Sequence, residues 1–204
     1  MYIIGIDEAG RGPLAGPVGV GVVLIPKGLR LKNPHTKFPL RDSKKLPAHA
    51  REGWFRYLKK HPNIFYKVAM VHPKTIDRIN ITEAVNLAAT RALEKVYKLI
   101  SYKLIRTIYI DAGIKIPEKN LQTYKLRNLK TLIRGDEKIN AIKLASIAAK
   151  VTRDRYIAKK HKEYPQYEFH VHKGYGTKVH CEAVKKFGPC PLHRLTFIRK
   201  YTTI

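Results

Sequence analysis

Fifteen Asp and Glu stand against forty-one Lys and Arg in the 204 residues, so each acid is worth locating. Four of them follow stretches that read as strands: Asp7 and Glu8 after residues 2–6, Asp111 after residues 107–110, and Asp136 three residues beyond 129–133. In open sheets flanked by helices, ligands gather off the carboxyl ends of strands, so these four side chains can converge if the strands are neighbours. Such a cluster repels itself and needs protons or hard cations; Mg²⁺ or Mn²⁺ takes oxygen ligands and keeps open water positions. Two ions about 3.5–4 Å apart clamp a phosphodiester by stabilising its attacking and leaving oxygens, while Lys and Arg hold the polyanion. One strand-end Asp usually caps a helix or turn. Four together, two of them adjacent, point to metal-dependent phosphoryl transfer on nucleic acid.

The charge agrees: a net +26 repels itself in any compact fold and is usually maintained by a polyanionic partner. No window reaches the roughly 18 apolar residues that span a bilayer. The acids at 7 and 8 also stand where an export signal would carry Lys or Arg. Cys181 and Cys190 are too few for an extracellular framework, which fits a reducing cytoplasm, and no pairing between them is assumed.

Residues 2–6 and 18–25 are strands joined by a turn containing Gly10, Gly12, Pro13, Gly16 and Pro17. Residues 33–46 are a loop, 48–60 a helix, and 64–71 a third strand. Helical spacing of Leu87, Leu93, Val96 and Leu99 predicts a helix from Thr82 to about residue 100. The fourth and fifth strands precede Asp111 and Asp136. Residues 139–160 form a long helix with a buried small-residue face, and Thr177 caps a helix running to Phe187, stopped by Gly188-Pro189. The prediction is an α/β fold: a mixed five-stranded sheet with flanking helices and a small C-terminal helical segment. His170, His172, His180, Cys181, Cys190 and His193 are zinc-binding types, but their spacing lacks close ligand pairs. The glycine-rich turn lacks the Gly-Lys-Ser/Thr ending of a nucleotide-binding P-loop.

Several segments, in order along residues 2–197, resemble the type 2 ribonuclease H (ribonuclease HII) family, most closely its bacterial branch. They are Asp7-Glu8-Ala9-Gly10-Arg11-Gly12-Pro13, Asp42-Ser43-Lys44-Lys45-Leu46, Ile110-Asp111, Arg134-Gly135-Asp136, Ala145 through Asp154, and His172 through Thr177. The resemblance implies a ribonuclease H-like fold in one unit, residues 1–204, with a core to about 165 and a substrate-contacting C-terminal segment. It implies hydrolysis of the RNA strand of RNA–DNA hybrids, and incision 5′ of single ribonucleotides in duplex DNA, leaving 3′-hydroxyl and 5′-phosphate ends. The family's catalytic and metal-binding acids fall on Asp7, Glu8, Asp111 and Asp136, the four selected by strand position. They would hold Mg²⁺ or Mn²⁺, two ions with substrate bound. Gly10, Arg11 and Gly12 would contact the 2′-hydroxyl, and Tyr175 the sugar after the RNA-to-DNA junction. Glycine permits close backbone approach to a sugar, and the 2′-hydroxyl is what distinguishes RNA.

Ser43, Lys44, Lys45, Lys173, His193 and Arg194 lie in the resembling segments and are candidate phosphate contacts. Lys150 is expected to neutralise the acids or pair with Asp154. The loop over residues 27–40 is more basic and proline-rich than the family's, and Thr196 stands where the family commonly has Ser. The chain is expected to work as a cytoplasmic monomer without membrane contact, with sliding-clamp contact through a short terminal peptide left open. The rival readings are a basic nucleic-acid-binding protein without catalysis, and another nuclease of the same fold acting on DNA.

Overall fold

The computed structural model describes residues 1–99, 105–123 and 128–201. Five strands form one mixed sheet: β1 Tyr2–Ala9, β2 Val18–Pro26, β3 Phe65–Val71, β4 Ile105–Asp111 and β5 Leu129–Leu132. Their order is β3-β2-β1-β4-β5, antiparallel for β3-β2-β1 and parallel for β1-β4-β5. The predicted mixed sheet with flanking helices is therefore present. Eight helices accompany it among the described residues: α1 Ala48–Lys60, α2 Pro73–Tyr97, α3 Glu118–Thr123, α4 Gly135–Lys138, α5 Asn140–Lys160, α6 Phe169–His172, α7 Lys178–Phe187 and α8 Leu195–Ile198.

Strand alternation sorts the side chains of the two central strands to opposite faces. Ile4 and Ile6 of β1, with Val18, Val20, Val22 and Leu24 of β2, pack beneath Ala84, Val85, Ala88, Ala89, Ala92 and Leu93 of α2. Val23 and Ile25 face Ala141, Leu144, Ala145 and Ala148 of α5 and Trp54 and Leu58 of α1. The small-residue face of α5 meets glycines rather than side chains. A Cβ on Gly5 would sit 2.1 Å from the Ala141 carbonyl carbon, and one on Gly21 would sit 2.4 Å from the Ala145 oxygen. Helix and sheet thus touch backbone to backbone.

Several boundaries differ from the sequence reading. β1 does not stop at Ile6 but runs through Asp7 and Glu8 to Ala9, because Gly21, Val20 and Gly19 of β2 continue the ladder opposite them. The helix expected from Thr82 begins at Pro73 and breaks at Asn80, whose φ is +66°. The Asn80 side chain accepts from the Glu83 amide at 3.0 Å, capping the second stretch two residues before the expected start. Residues 33–46 are largely irregular, as expected, except that Asp42 caps a short 3₁₀ turn, Ser43–Lys45. Residue 100, the expected end of that helix, and residues 202–204, which would complete a terminal clamp peptide, lie outside the described residues.

The C-terminal elements build a third cluster, in which Tyr167, Phe169, Val184, Leu192 and Ile198 pack on Leu14, Ala15 and Ile157. Thr177 caps α7 as predicted, accepting from the His180 amide. Thr196 donates to Asp77 at 2.6 Å, so this hydroxyl ties α8 to α2 as a serine would. Cys181 and Cys190 are free thiols. No helix among the described residues is long and apolar enough to cross a membrane.

Within this cluster His172, His180 and His193 stack, and every one of their ring nitrogens is hydrogen-bonded. His180 Nδ1 donates to the Tyr175 carbonyl at 2.9 Å, which leaves its Nε2 to accept from His193 Nε2 at 3.1 Å. His193 Nδ1 accepts from the Cys190 amide, and His172 bridges the Tyr167 carbonyl and the Gly174 amide. This chain requires neutral rings. Burial pushes both His180 and His193 down to about 4, in His193 with help from His180. The unfolded chain takes up these protons near pH 6.5 and the folded one only near 4, so the stability they confer is lost as pH falls through that window. Hydrogen-exchange protection of amides in residues 165–201 should therefore fall at least about tenfold between pH 6.5 and 4.5.

Candidate active site

Parallel pairing of β1 with β4 aligns Ile6 with Ile110, so Asp7 and Asp111, the next residue of each strand, are neighbours on the α5 face. Oxygens of Asp7, Glu8 and Asp111 all lie within 4.8 Å of one another, which is the one such group of metal-type ligands among the described residues. Asp7 is 5% exposed. Burial first, then Glu8 and Asp111, push its carboxyl well above the usual range, while a hydrogen bond from Ser146 of α5 opposes them. Its Oδ1 accepts the Glu8 amide at 2.7 Å, and Asp111 accepts the Gly135 amide at 2.7 Å, tying the end of β4 to α4.

Asp136, buried in α4, is not within that tight group. It hydrogen-bonds Asp42 and feels Asp111, and its pKa is raised by burial and by both acids against the opposing charge of Lys44. The Lys44 ammonium lies in the field of Asp42, Asp136, Asp7 and Glu8, which together outweigh burial and raise its pKa. The fourth acid thus stands outside a three-carboxylate centre, and Lys44 feels the charge of both.

This donor set suits a hard divalent cation. Arg11 Nε holds Glu8 Oε1 at 2.7 Å, but Glu8 Oε2 is buried without a hydrogen-bond partner. A buried, unpartnered carboxylate oxygen beside two further carboxylates is an arrangement that a cation relieves.

Around this centre the glycine-rich turn leaves β1 with Gly10 at φ +90°. Arg11 reaches across to the Gly113 carbonyl at 2.7 Å, linking the turn to the loop after β4. Gly12 is exposed, and a Cβ there would meet nothing within 4 Å. Tyr175 is 40% exposed, with Lys150 Nζ and Arg153 Cζ over its ring, 5.1 and 5.6 Å from the ring centre. Its loop is docked on the turn: the Leu14 and Ala15 amides both donate to the Gly174 carbonyl, at 2.9 and 3.2 Å.

Three of the candidate phosphate contacts need correction, because they face the interior. Ser43 is 3% exposed and shares a 2.8 Å hydrogen bond with Ser146, so it supports Asp7 from behind. His193 belongs to the histidine stack. Arg194 is fully buried, its charge spent on the carbonyls of the glycine-rich turn. Lys45 pairs with Glu137 at 2.7 Å, and Lys173 folds back onto the His170 carbonyl. Lys150 pairs with Asp154 at 2.9 Å, the structural role expected of it. The sequence reading passed over Asp42, Ser146 and Arg153; all three stood inside recognised motifs, but nothing in their spacing showed which would face the acids.

The family model described as ribonuclease HII matches residues 4–200. A ribonuclease HII of Caldicellulosiruptor bescii is 42% identical over 203 residues, covering 100% of this chain and 89% of the relative. Among solved structures, the ribonuclease H2 of Pyrococcus horikoshii superposes with a TM-score of 0.73 at 29% identity, covering 98% of this chain and 97% of that one. The ribonuclease HII in the PCNA complex from Archaeoglobus fulgidus superposes at 0.67 and 25% identity, over 96% and 94% of the two chains.

Proposed function

Since the chain belongs to the ribonuclease HII family, and is thus a ribonuclease H acting on RNA–DNA hybrids, we propose that it also incises duplex DNA 5′ of a single embedded ribonucleotide. The reaction hydrolyses the phosphodiester, leaving 3′-hydroxyl and 5′-phosphate ends, and requires Mg²⁺ or Mn²⁺. The observation that carries this reading is the three-carboxylate centre with its unpartnered Glu8 oxygen. Asp7, Glu8 and Asp111 hold the cation, and Asp136 completes the set when substrate is present. Bound there, divalent ions supply Lewis acidity and activation of the attacking water. Lys44 tempers the negative charge of the acids before substrate arrives and stands ready for a phosphate.

The glycine-rich turn reads the sugar. The carbonyls of Gly10 and Arg11 point inward to Arg194, so its outer surface presents amide donors, suited to a 2′-hydroxyl oxygen. Tyr175 offers a flat face to the deoxyribose beyond the junction, where an added hydroxyl would crowd it. We place the enzyme in the cytoplasm as a monomer.

Gly12 gives a prediction free of folding effects. Its backbone does not demand glycine and a methyl group meets no neighbour in the protein, so the need for glycine comes from outside. Gly12→Ala should melt within about a degree of the parent, while cleavage of a hybrid falls roughly tenfold or more through lost approach to the ribose.

The reading is tested by nicking assays with Mg²⁺ on an RNA–DNA hybrid, a duplex with one ribonucleotide, and an all-DNA duplex. Cleavage of the first two and sparing of the third is expected. Equal cutting of the all-DNA duplex contradicts it in favour of a DNA nuclease, and tight binding without metal-dependent cutting favours a non-catalytic binder.

A further inference from the structure

We infer that Arg153 and Arg194 are positioning residues that hold the 2′-hydroxyl-reading turn and the Tyr175 loop at one fixed spacing, and that this spacing selects the isolated ribonucleotide. The inference rests on the reading proposed above for Gly10–Gly12 and Tyr175.

Both side chains are fully buried. Arg194 donates through Nε to the Gly16 carbonyl at 3.0 Å, through Nη1 to Arg11 at 2.7 Å and through Nη2 to Gly10 at 2.6 Å. Arg153 enters the same turn from α5, donating through Nε to Pro17 at 3.2 Å and through Nη2 to Ala15 at 3.0 Å, and reaches the Lys173 carbonyl through Nη1 at 2.7 Å. Between them the two guanidiniums bind five carbonyls of residues 10–17 and one of the residue preceding Gly174-Tyr175. Gly174 closes the joint: its φ is +83°, and a Cβ there would lie 2.4 Å from the Ala15 oxygen.

Stability alone does not explain this arrangement. Arg194 makes no salt bridge within 4.0 Å among the described residues, and burial, with Arg153 next to it, pulls its pKa down to about 9. A buried charge is expensive, and well-packed apolar side chains commonly serve a core equally well. Arginine's rigid fork differs in that it fixes several carbonyls at set distances simultaneously. The turn needs this because its glycines and its non-repeating backbone leave carbonyls that no ladder satisfies.

The consequence is selective. A hybrid offers a 2′-hydroxyl at every residue, so the enzyme can cut wherever its turn finds a productive register. A duplex with one ribonucleotide offers a single phosphodiester at which that hydroxyl and the next deoxyribose must meet the turn and Tyr175 together. Loss of spacing is therefore expected to impair the second substrate far more than the first.

Arg194→Lys and Arg153→Lys keep a cation but lose the fork, and Gly174→Ala spreads the same joint with both guanidiniums intact. Each is assayed on both duplexes with Mg²⁺, and folding is checked by circular dichroism. We expect hybrid cleavage within about threefold of the parent, and single-ribonucleotide incision down at least about tenfold, in kcat more than KM. An unchanged ratio between the two substrates in the folded variants would overturn the inference, as would a loss confined to KM. If neither arginine variant folds, Gly174→Ala decides by the same ratio. Failure of the parent enzyme to nick the single-ribonucleotide duplex would instead remove the reading on which the inference stands.

Discussion

Asp7→Asn should lower hybrid cleavage by about 10³-fold or more while leaving duplex affinity unchanged or tighter. The substitution keeps what the fold uses: an amide oxygen can still accept the Glu8 amide and a hydrogen bond from Ser146. It removes only a negative charge from a pocket where burial, Glu8 and Asp111 already disfavour that charge. Two results should accompany the kinetic loss. Without metal the variant should melt higher than the parent, because an unfavourable buried charge is gone. With saturating Mg²⁺ that advantage should shrink or reverse, because the parent gains stability by binding an ion that the variant holds poorly. Lower stability under both conditions would identify Asp7 as a structural carboxylate. Thermal melts with and without Mg²⁺, beside steady-state cleavage, separate the outcomes.

Gly5→Ala should cost about 3 kcal/mol or more, at the upper end of overpacking effects. The added methyl carbon would lie 2.1 Å from one main-chain atom of α5 and 2.3 Å from the next, and backbone cannot rotate aside as a side chain can. Either α5 lifts from the sheet or β1 bends. Both movements separate Ser146 from Asp7, so activity should fall along with stability. Gly12→Ala is the control, the same chemical change in open space. Denaturant unfolding of the two variants checks the pair, and equal stability would show that the close contact of α5 with β1 does not matter.

Much of this site was legible because acids are scarce. Asp7, Glu8 and Asp111 drew attention by standing at strand ends in a chain of +26, and the sheet brings them together. Asp136 was equally visible, but strand-end position could not show that the turn through Arg134, at φ +54°, leaves it beside Asp42 rather than inside the tight group. The misread residues share a cause. Ser43, His193 and Arg194 are polar types that composition assigns to the surface. Their burial follows from unpaired groups elsewhere: the carbonyls of an irregular turn, the Ser146 hydroxyl and the ring nitrogens of neighbouring histidines. No periodicity encodes such needs, since they arise only when residues 10–17, α5 and the C-terminal segment meet. The helix start expected at Thr82 falls inside α2, just past the break at Asn80, while the true start at Pro73, a residue suited to the first helical turn, was not read.

Whether Asp7, Glu8 and Asp111 form a divalent-cation centre is decided by anomalous scattering from crystals of the enzyme soaked with Mn²⁺. A manganese peak is expected within coordination distance, about 2–2.5 Å, of oxygens from Asp7, Glu8 and Asp111, weakened or lost in Asp7→Asn. Manganese bound elsewhere, with these three carboxylates free, or hybrid cleavage that persists at full rate in excess chelator, would contradict it.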